Sequence, residues 1–113
     1  MNDCLFCKII KSEIPSTKVY EDEFVYAFLD IEPQAPFHAV IVPKIHIKSA
    51  DEINTENSMY IAKIFEAVAK IAKQENLENG YRVVNNCGTD GGQTVGHIHF
   101  HLLARRNLQW PPG

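Results

Sequence analysis

The chain has 113 residues, 45% of them hydrophobic and 22% charged, which is the size and composition of one globular domain with an ordinary core. A total of 11 basic against 14 acidic residues leaves a net charge of -3, and the basic residues are scattered, which argues against the electrostatic footprint of a nucleic-acid binder. No apolar run approaches the roughly 20 residues of a membrane helix, and Met1-Asn2-Asp3-Cys4 lacks the basic-then-apolar plan of a signal peptide, so a cytosolic protein with reduced cysteines Cys4, Cys7 and Cys87 is expected.

Leu5, Phe6, Ile9 and Ile10 recur at helical spacing before Ile14-Pro15, where proline disfavours helix at the residue before it, so a short helix over 4–10 is expected. Residues 17–20 and 24–29 are rich in β-branched and aromatic side chains and flank the acidic cluster Glu21-Asp22-Glu23, which suits an antiparallel hairpin ending near Asp30. After a proline-rich loop, the apolar run His38-Ala39-Val40-Ile41-Val42 is stopped by Pro43, as in a central strand. Tyr60, Ile61, Ile64, Phe65, Val68, Ile71 and Ala72 form one stripe with a period near 3.6, which predicts a long helix over 55–75 with Asn79-Gly80 as its stop. Two further strands are expected over 81–85 and 97–103, joined by a loop containing Asp90-Gly91-Gly92-Gln93-Thr94. Nothing repeats and no segment reads as a linker, so residues 1–113 form a single domain.

The segment His97-Ile98-His99-Phe100-His101-Leu102-Leu103 carries the chemistry. Three of the chain's five histidines alternate here with apolar residues, and a period of two places all three imidazoles on one face of a strand. Neighbours on such a face stand roughly 6.5 to 7 Å apart, so the row spans about 13 Å and is a poor cage for a single ion. Nucleophilic chemistry on a phosphoryl or acyl group fits better, because a neutral imidazole can attack while its neighbours donate to developing charge. Gly91-Gly92, just upstream, lets backbone N–H groups approach an anion, and Gln93 and Thr94 add side-chain donors. Cys4-Leu5-Phe6-Cys7 has the spacing of two thiolates on one tetrahedral ion, with two thiols buried by a small helix as the alternative and a redox role weakened by the missing thioredoxin-like βαβ unit.

The histidine row resembles the signature of the histidine triad superfamily: His, apolar, His, apolar, His, apolar, apolar. Residues 30–36, His38 with Val42-Pro43-Lys44, Asn86, residues 90–94 and the tail Trp110-Pro111-Pro112-Gly113 extend the likeness over nearly the whole chain, to the Hint branch of purine nucleoside phosphoramidases. The resemblance implies an α+β fold with a five-stranded antiparallel sheet, one long helix and a short N-terminal helix, doubled to ten strands in a homodimer. It implies a two-step reaction in which His99 attacks the α-phosphorus of a nucleoside phosphoramidate, adenosine type favoured, releases an amine and forms a nucleotidyl-histidine that water hydrolyses. In that scheme His101, Gln93 and Thr94 contact the phosphate and leaving group, and His38 supports the nucleophile. Leu5, Phe6, Ile9, Phe28 and Ile31 line the nucleoside pocket, Asp30 holds the ribose hydroxyls, Asn86 faces the nucleotide, and Gly92 belongs to the phosphate cradle.

Some bacterial proteins that resemble this chain bind structural zinc through residues matching Cys4, Cys7, His46 and His97, which implies the same site here. A zinc-bound His97 is not a general acid, leaving Thr94 or water to protonate the amine. The sequence departs from the branch at Gly96 and Asn85, where a bulkier and an apolar residue are usual. Two other activities stay in play: a dinucleoside polyphosphate hydrolase or nucleotidyl transferase of the same superfamily, which Gln93 and the tail disfavour, and a zinc-stabilised module that binds nucleotide without turnover.

Overall fold

The computed structural model describes residues 3–113; Met1 and Asn2, which begin the stretch read for a signal peptide, lie outside the described residues. Helix α1 (Leu5–Ile10) is followed by strands β1 (Lys18–Glu21), β2 (Val25–Leu29) and β3 (Phe37–Pro43), a short turn of 3-10 helix at Ala50–Glu52, and the long helix α2 (Ser58–Gln74). Strand β4 (Tyr81–Asn85), the single turn α3 (Gly88–Gly91) and strand β5 (Phe100–Ala104) complete the order. The strands form one antiparallel sheet in the order β1-β2-β3-β5-β4, which puts β3 at its centre with β5 beside it. The expected α+β architecture with five antiparallel strands is present.

Helix α2 covers one face of the sheet. Its Ile64, Ala67, Val68 and Ile71 pack with Val25, Ala27, Ala39, Ile41, Ile98, Phe100 and Leu102 in the main core. Each large aliphatic side chain withdrawn from water there contributes about 1.5–3 kcal/mol. Helix α1 covers part of the opposite face, where Phe6 and Ile9 meet Tyr26, Phe28, Val40 and Val42. Because β3 is buried on both faces it reads as a continuous apolar run rather than an alternation.

Three local readings change. Helix α2 spans Ser58–Gln74 against the expected 55–75, and it is Asn76 rather than Asn79-Gly80 that takes the left-handed conformation (φ 58°) closing it. Phe65, read as part of the buried stripe, is 49% exposed, with one edge against Phe100. The last strand begins at Phe100, so His97 and His99 precede it; there the N–H of Ile98 turns away to the carbonyl of Ile47 at 2.6 Å. The alternation survives outside the ladder, since Ile98, Phe100 and Leu102 all enter the α2 core.

Candidate active site

Strand register brings the histidines together. His101 lies opposite Val40 of β3, and His38 is one diagonal step away, opposite Leu103. Their rings are joined by a bond of 2.8 Å between His38 Nε2 and His101 Nδ1. His99 is edge-on to His101 with centroids 5.2 Å apart, and on its other side to Phe6 at 4.9 Å.

The hydrogen bonds settle which nitrogen of each ring carries the proton. The Gln34 backbone N–H can only donate, and it meets His38 Nδ1 at 3.0 Å, so the His38 proton resides on Nε2. Nε2–H donates to His101 Nδ1, which leaves the His101 proton on Nε2. His99 Nδ1–H donates to the His97 carbonyl at 2.8 Å, so its Nε2 bears a free lone pair. Burial lowers the pKa of His38, His99 and His101, that of His101 to about 4, which keeps the rings neutral at ordinary pH. His99 therefore has the protonation of a nucleophile and His101 that of a donor. Asp30 Oδ2 lies 3.4 Å from His38 Nε2 and opposes the lowering at all three rings, while its other oxygen accepts the Glu32 backbone N–H.

A cavity of about 410 Å³ opens beside these rings. Its apolar wall includes Leu5, Phe6, Ile9, Phe28 and Ile31, and its polar rim includes Asp30, Thr94, His99 and His101. Ile31 is 94% exposed at the mouth, a position with nothing to gain from burial within this chain. A larger groove, about 790 Å³, lies between residues 79–82 and 105–108; it is lined by no histidine, and its Arg82 and Arg105 are bonded to backbone carbonyls. His99 and His101 line the smaller cavity.

Gln93 does not point into that cavity. Its amide nitrogen donates to the carbonyls of Lys48 and Val95, both at 2.9 Å, and its oxygen accepts the Gly88 N–H at 3.0 Å. The side chain is a strut between the loop preceding the histidines and the segment after β3, whereas the resemblance implies a contact to the phosphate. The expected loop also contains the turn α3, and Gly92 ends it with φ 83°, a conformation that L side chains rarely adopt. Gly92 and Asn86 lie outside the lining of the cavity, and His38 stands behind His101. The residue the sequence did not single out is Gln34, whose contribution is a backbone N–H and leaves no side-chain signature.

Because His101 is held neutral, acid should destabilise the fold through it. Burial is the largest cause of its low value, the rings of His99 and His38 add to it, and Asp30 opposes it. The unfolded chain takes up a proton near pH 6.5 and the folded one only near 4, so this contribution is complete above pH 6.5 and is lost as the pH falls toward 4. Between pH 6.5 and 5 the parent should lose roughly 2 kcal/mol more stability than His101→Asn, which has no ring to titrate. Thermal melts of both proteins across that range check this; parallel pH dependences would contradict it.

On the far side of His97 lies a second cluster. Ligand atoms of Cys4, Cys7, His46 and His97 all fall within 4.8 Å of one another. Cys4 Sγ is 3.2 Å from His97 Nδ1, and Cys7 Sγ is 3.5 Å from both His97 Nδ1 and His46 Nδ1. Zinc bound tetrahedrally at ordinary Zn–S and Zn–N lengths requires sulfur–nitrogen separations of about 3.5 Å, so the donors already sit near ligand spacing. His97 is fully buried, burial lowers its pKa to about 4, and its Nε2–H donates to the Pro43 carbonyl at 3.0 Å, which turns the Nδ1 lone pair toward the thiols. The four residues form a Cys₂His₂ set suited to zinc.

A HIT domain family model matches residues 11–108. The 14 kDa zinc-binding protein of Zea mays is 52% identical over 96% of this chain and 87% of its own length. The purine nucleoside phosphoramidase of Escherichia coli (strain K12) is 46% identical over 94% of this chain and 90% of its own. The crystal structure of a HIT family hydrolase from Legionella pneumophila superposes with a TM-score of 0.95 at 50% identity, covering 98% of this chain and 100% of that one. With the histidine row, the sheet order and these likenesses in agreement, the chain belongs to the HIT domain family.

Proposed function

We propose that the protein hydrolyses the P–N bond of purine nucleoside 5'-phosphoramidates through a nucleotidyl group carried on His99. The observation that carries this reading is the free Nε2 lone pair of His99 at the cavity wall beside the Nε2–H of His101. A nucleoside enters with its base against Phe6, Ile9 and Phe28 and its ribose hydroxyls toward Asp30. His99 Nε2 attacks phosphorus, the P–N bond breaks, and the amine leaves with a proton supplied by water at the exposed mouth, directly or relayed through the Thr94 hydroxyl, which regains its proton from that water. His101 donates to a phosphoryl oxygen, and His38, its tautomer held by Gln34, keeps that proton on the outer nitrogen. Water then attacks phosphorus, the P–N bond to His99 breaks, and the nucleoside monophosphate departs with the ring neutral again.

The similarity to the Escherichia coli phosphoramidase supports this substrate class. A panel of adenosine and guanosine phosphoramidates and dinucleoside polyphosphates, followed by chromatography, tests it. Turnover of the phosphoramidates at least about tenfold faster than the dinucleotides is expected, and the reverse order would favour the polyphosphate hydrolase.

The same reading includes a homodimer joined through α2 and β4. Strand β4 is a sheet edge, and Met59, Phe65 and Tyr81 expose 46%, 49% and 45% of their surface beside it or on α2. Trp110, 82% exposed, then reaches toward the partner's cavity and shapes leaving-group choice. Light scattering should give twice the chain mass at micromolar concentration, and truncation after Gln109 should change substrate preference more than stability; a monomer would contradict the arrangement. Among the described residues no helix is long and apolar enough to cross a membrane.

A further inference from the structure

We propose that Asn85 is a positioning residue for the nucleophile, an inference that rests on the phosphoramidate reading above. The ladder between β4 and β5 runs from the Tyr81 and Ala104 pair to the Asn85 and Phe100 pair and ends there. His99 is the first residue beyond it, so its backbone has left the regular strand at the point where its ring must be aimed. At that point Asn85 takes over with its side chain: Nδ2–H donates to the His99 carbonyl at 2.9 Å. The ring is held separately, by Nδ1–H on the His97 carbonyl at 2.8 Å. One bond fixes the peptide after the nucleophile and the other fixes the ring, and between them they set the direction of the Nε2 lone pair. His99 is 5% exposed, so water is a poor substitute for a missing donor there.

Asn is an unfavourable residue for a strand, and a position in the last pair of a ladder would be better served by a β-branched one. Its presence is explained by the bond to His99. In-line attack on phosphorus is sensitive to misplacements of about 1 Å, which cost on the order of a hundredfold in rate. Asn85 touches neither the cavity nor the nucleotide in the proposed pose, so its loss should act on the chemical step and spare binding.

The test compares the parent with Asn85→Leu, which keeps the volume and removes the donor, and Asn85→Gln, which keeps a donor on a longer arm. For the leucine variant kcat should fall about 10- to 100-fold with KM and nucleoside monophosphate affinity within about twofold, and the glutamine variant should recover most of the rate. A second readout needs no turnover: in the leucine variant the His99 ring N–H, observed by NMR of ¹⁵N-histidine protein, should exchange with solvent at least about tenfold faster. A leucine variant with kcat within threefold of the parent, a loss confined to KM, or unchanged ring exchange would overturn the assignment. A parent without phosphoramidate turnover would overturn the reaction reading instead, and the ring exchange alone would then decide the role of Asn85.

Discussion

Replacing His99 with alanine should abolish phosphoramidate hydrolysis, with kcat reduced at least about a thousandfold, while nucleoside monophosphate still binds within a few-fold of the parent. The asymmetry follows from where the side chain lies. Its Nε2 lone pair is the nucleophile of the proposed mechanism, made available by burial that keeps the ring neutral and by a carbonyl that holds the proton on Nδ1. The apolar wall of the cavity is built by α1 and β2, and only one edge of Phe6 depends on the imidazole. His101→Ala should slow the reaction less, by the roughly 1.5–3 kcal/mol of one charge-assisted donor. Steady-state rates and calorimetric titration with nucleoside monophosphate separate the two quantities. Retention of turnover within a few-fold in the His99 variant would refute the mechanism.

The second large effect concerns the metal centre. Protein purified without chelator should hold close to one zinc per chain, and a Cys4→Ser, Cys7→Ser double variant less than about 0.2, as expected for a closed four-ligand site. Helix α1 is six residues long, far below the length at which a helix persists alone, so its position depends on what it is tied to. Cys4 caps it and Cys7 lies one turn on, with Phe6 between them packing on Phe28, His97 and His99. His97 in turn offers its carbonyl to His99. Losing the metal should therefore loosen one wall of the cavity and the backbone behind the nucleophile together. At free zinc about a hundredfold above its Kd the bound ion adds about 2.7 kcal/mol of stability, roughly 10 °C in Tm for a domain of this size, and nucleotide affinity should fall about tenfold with it. Elemental analysis, melting curves and nucleotide titration of both proteins check this; equal zinc in both, or a parent below about 0.2 per chain, would remove the site.

Much of the fold is legible in the sequence. The alternation of His97, His99 and His101 with Ile98, Phe100 and Leu102 reports a two-faced extended segment whether or not every residue joins the ladder, so the faces were readable and the strand boundary was not. That boundary depends on Ile98 bonding to Ile47, about fifty residues away in sequence, and no local pattern encodes it. Cys4 and Cys7 are marked by their spacing, whereas His46 and His97 join them in the sequence only through the family resemblance, because they lie far along the chain and the fold brings all four together. Gln93 is ambiguous in the sequence: an amide beside a glycine pair serves equally as a phosphate donor or as a backbone strut, and its bonds to the carbonyls of Lys48 and Val95 depend on segments that no local pattern brings together. Asn85 stood out only as a polar residue in a strand, and its partner is a backbone oxygen that sequence patterns do not mark.

In the proposed mechanism His99 carries the nucleotidyl group. Rapid mixing with an adenosine phosphoramidate, alkaline quenching to spare the acid-labile P–N bond, and peptide mass analysis on the turnover timescale test it directly. One nucleotidyl group should appear on the peptide containing His99, build up before the steady state and be absent from His99→Ala. Product formation with no adduct at any time, or an adduct on another residue, would contradict the account.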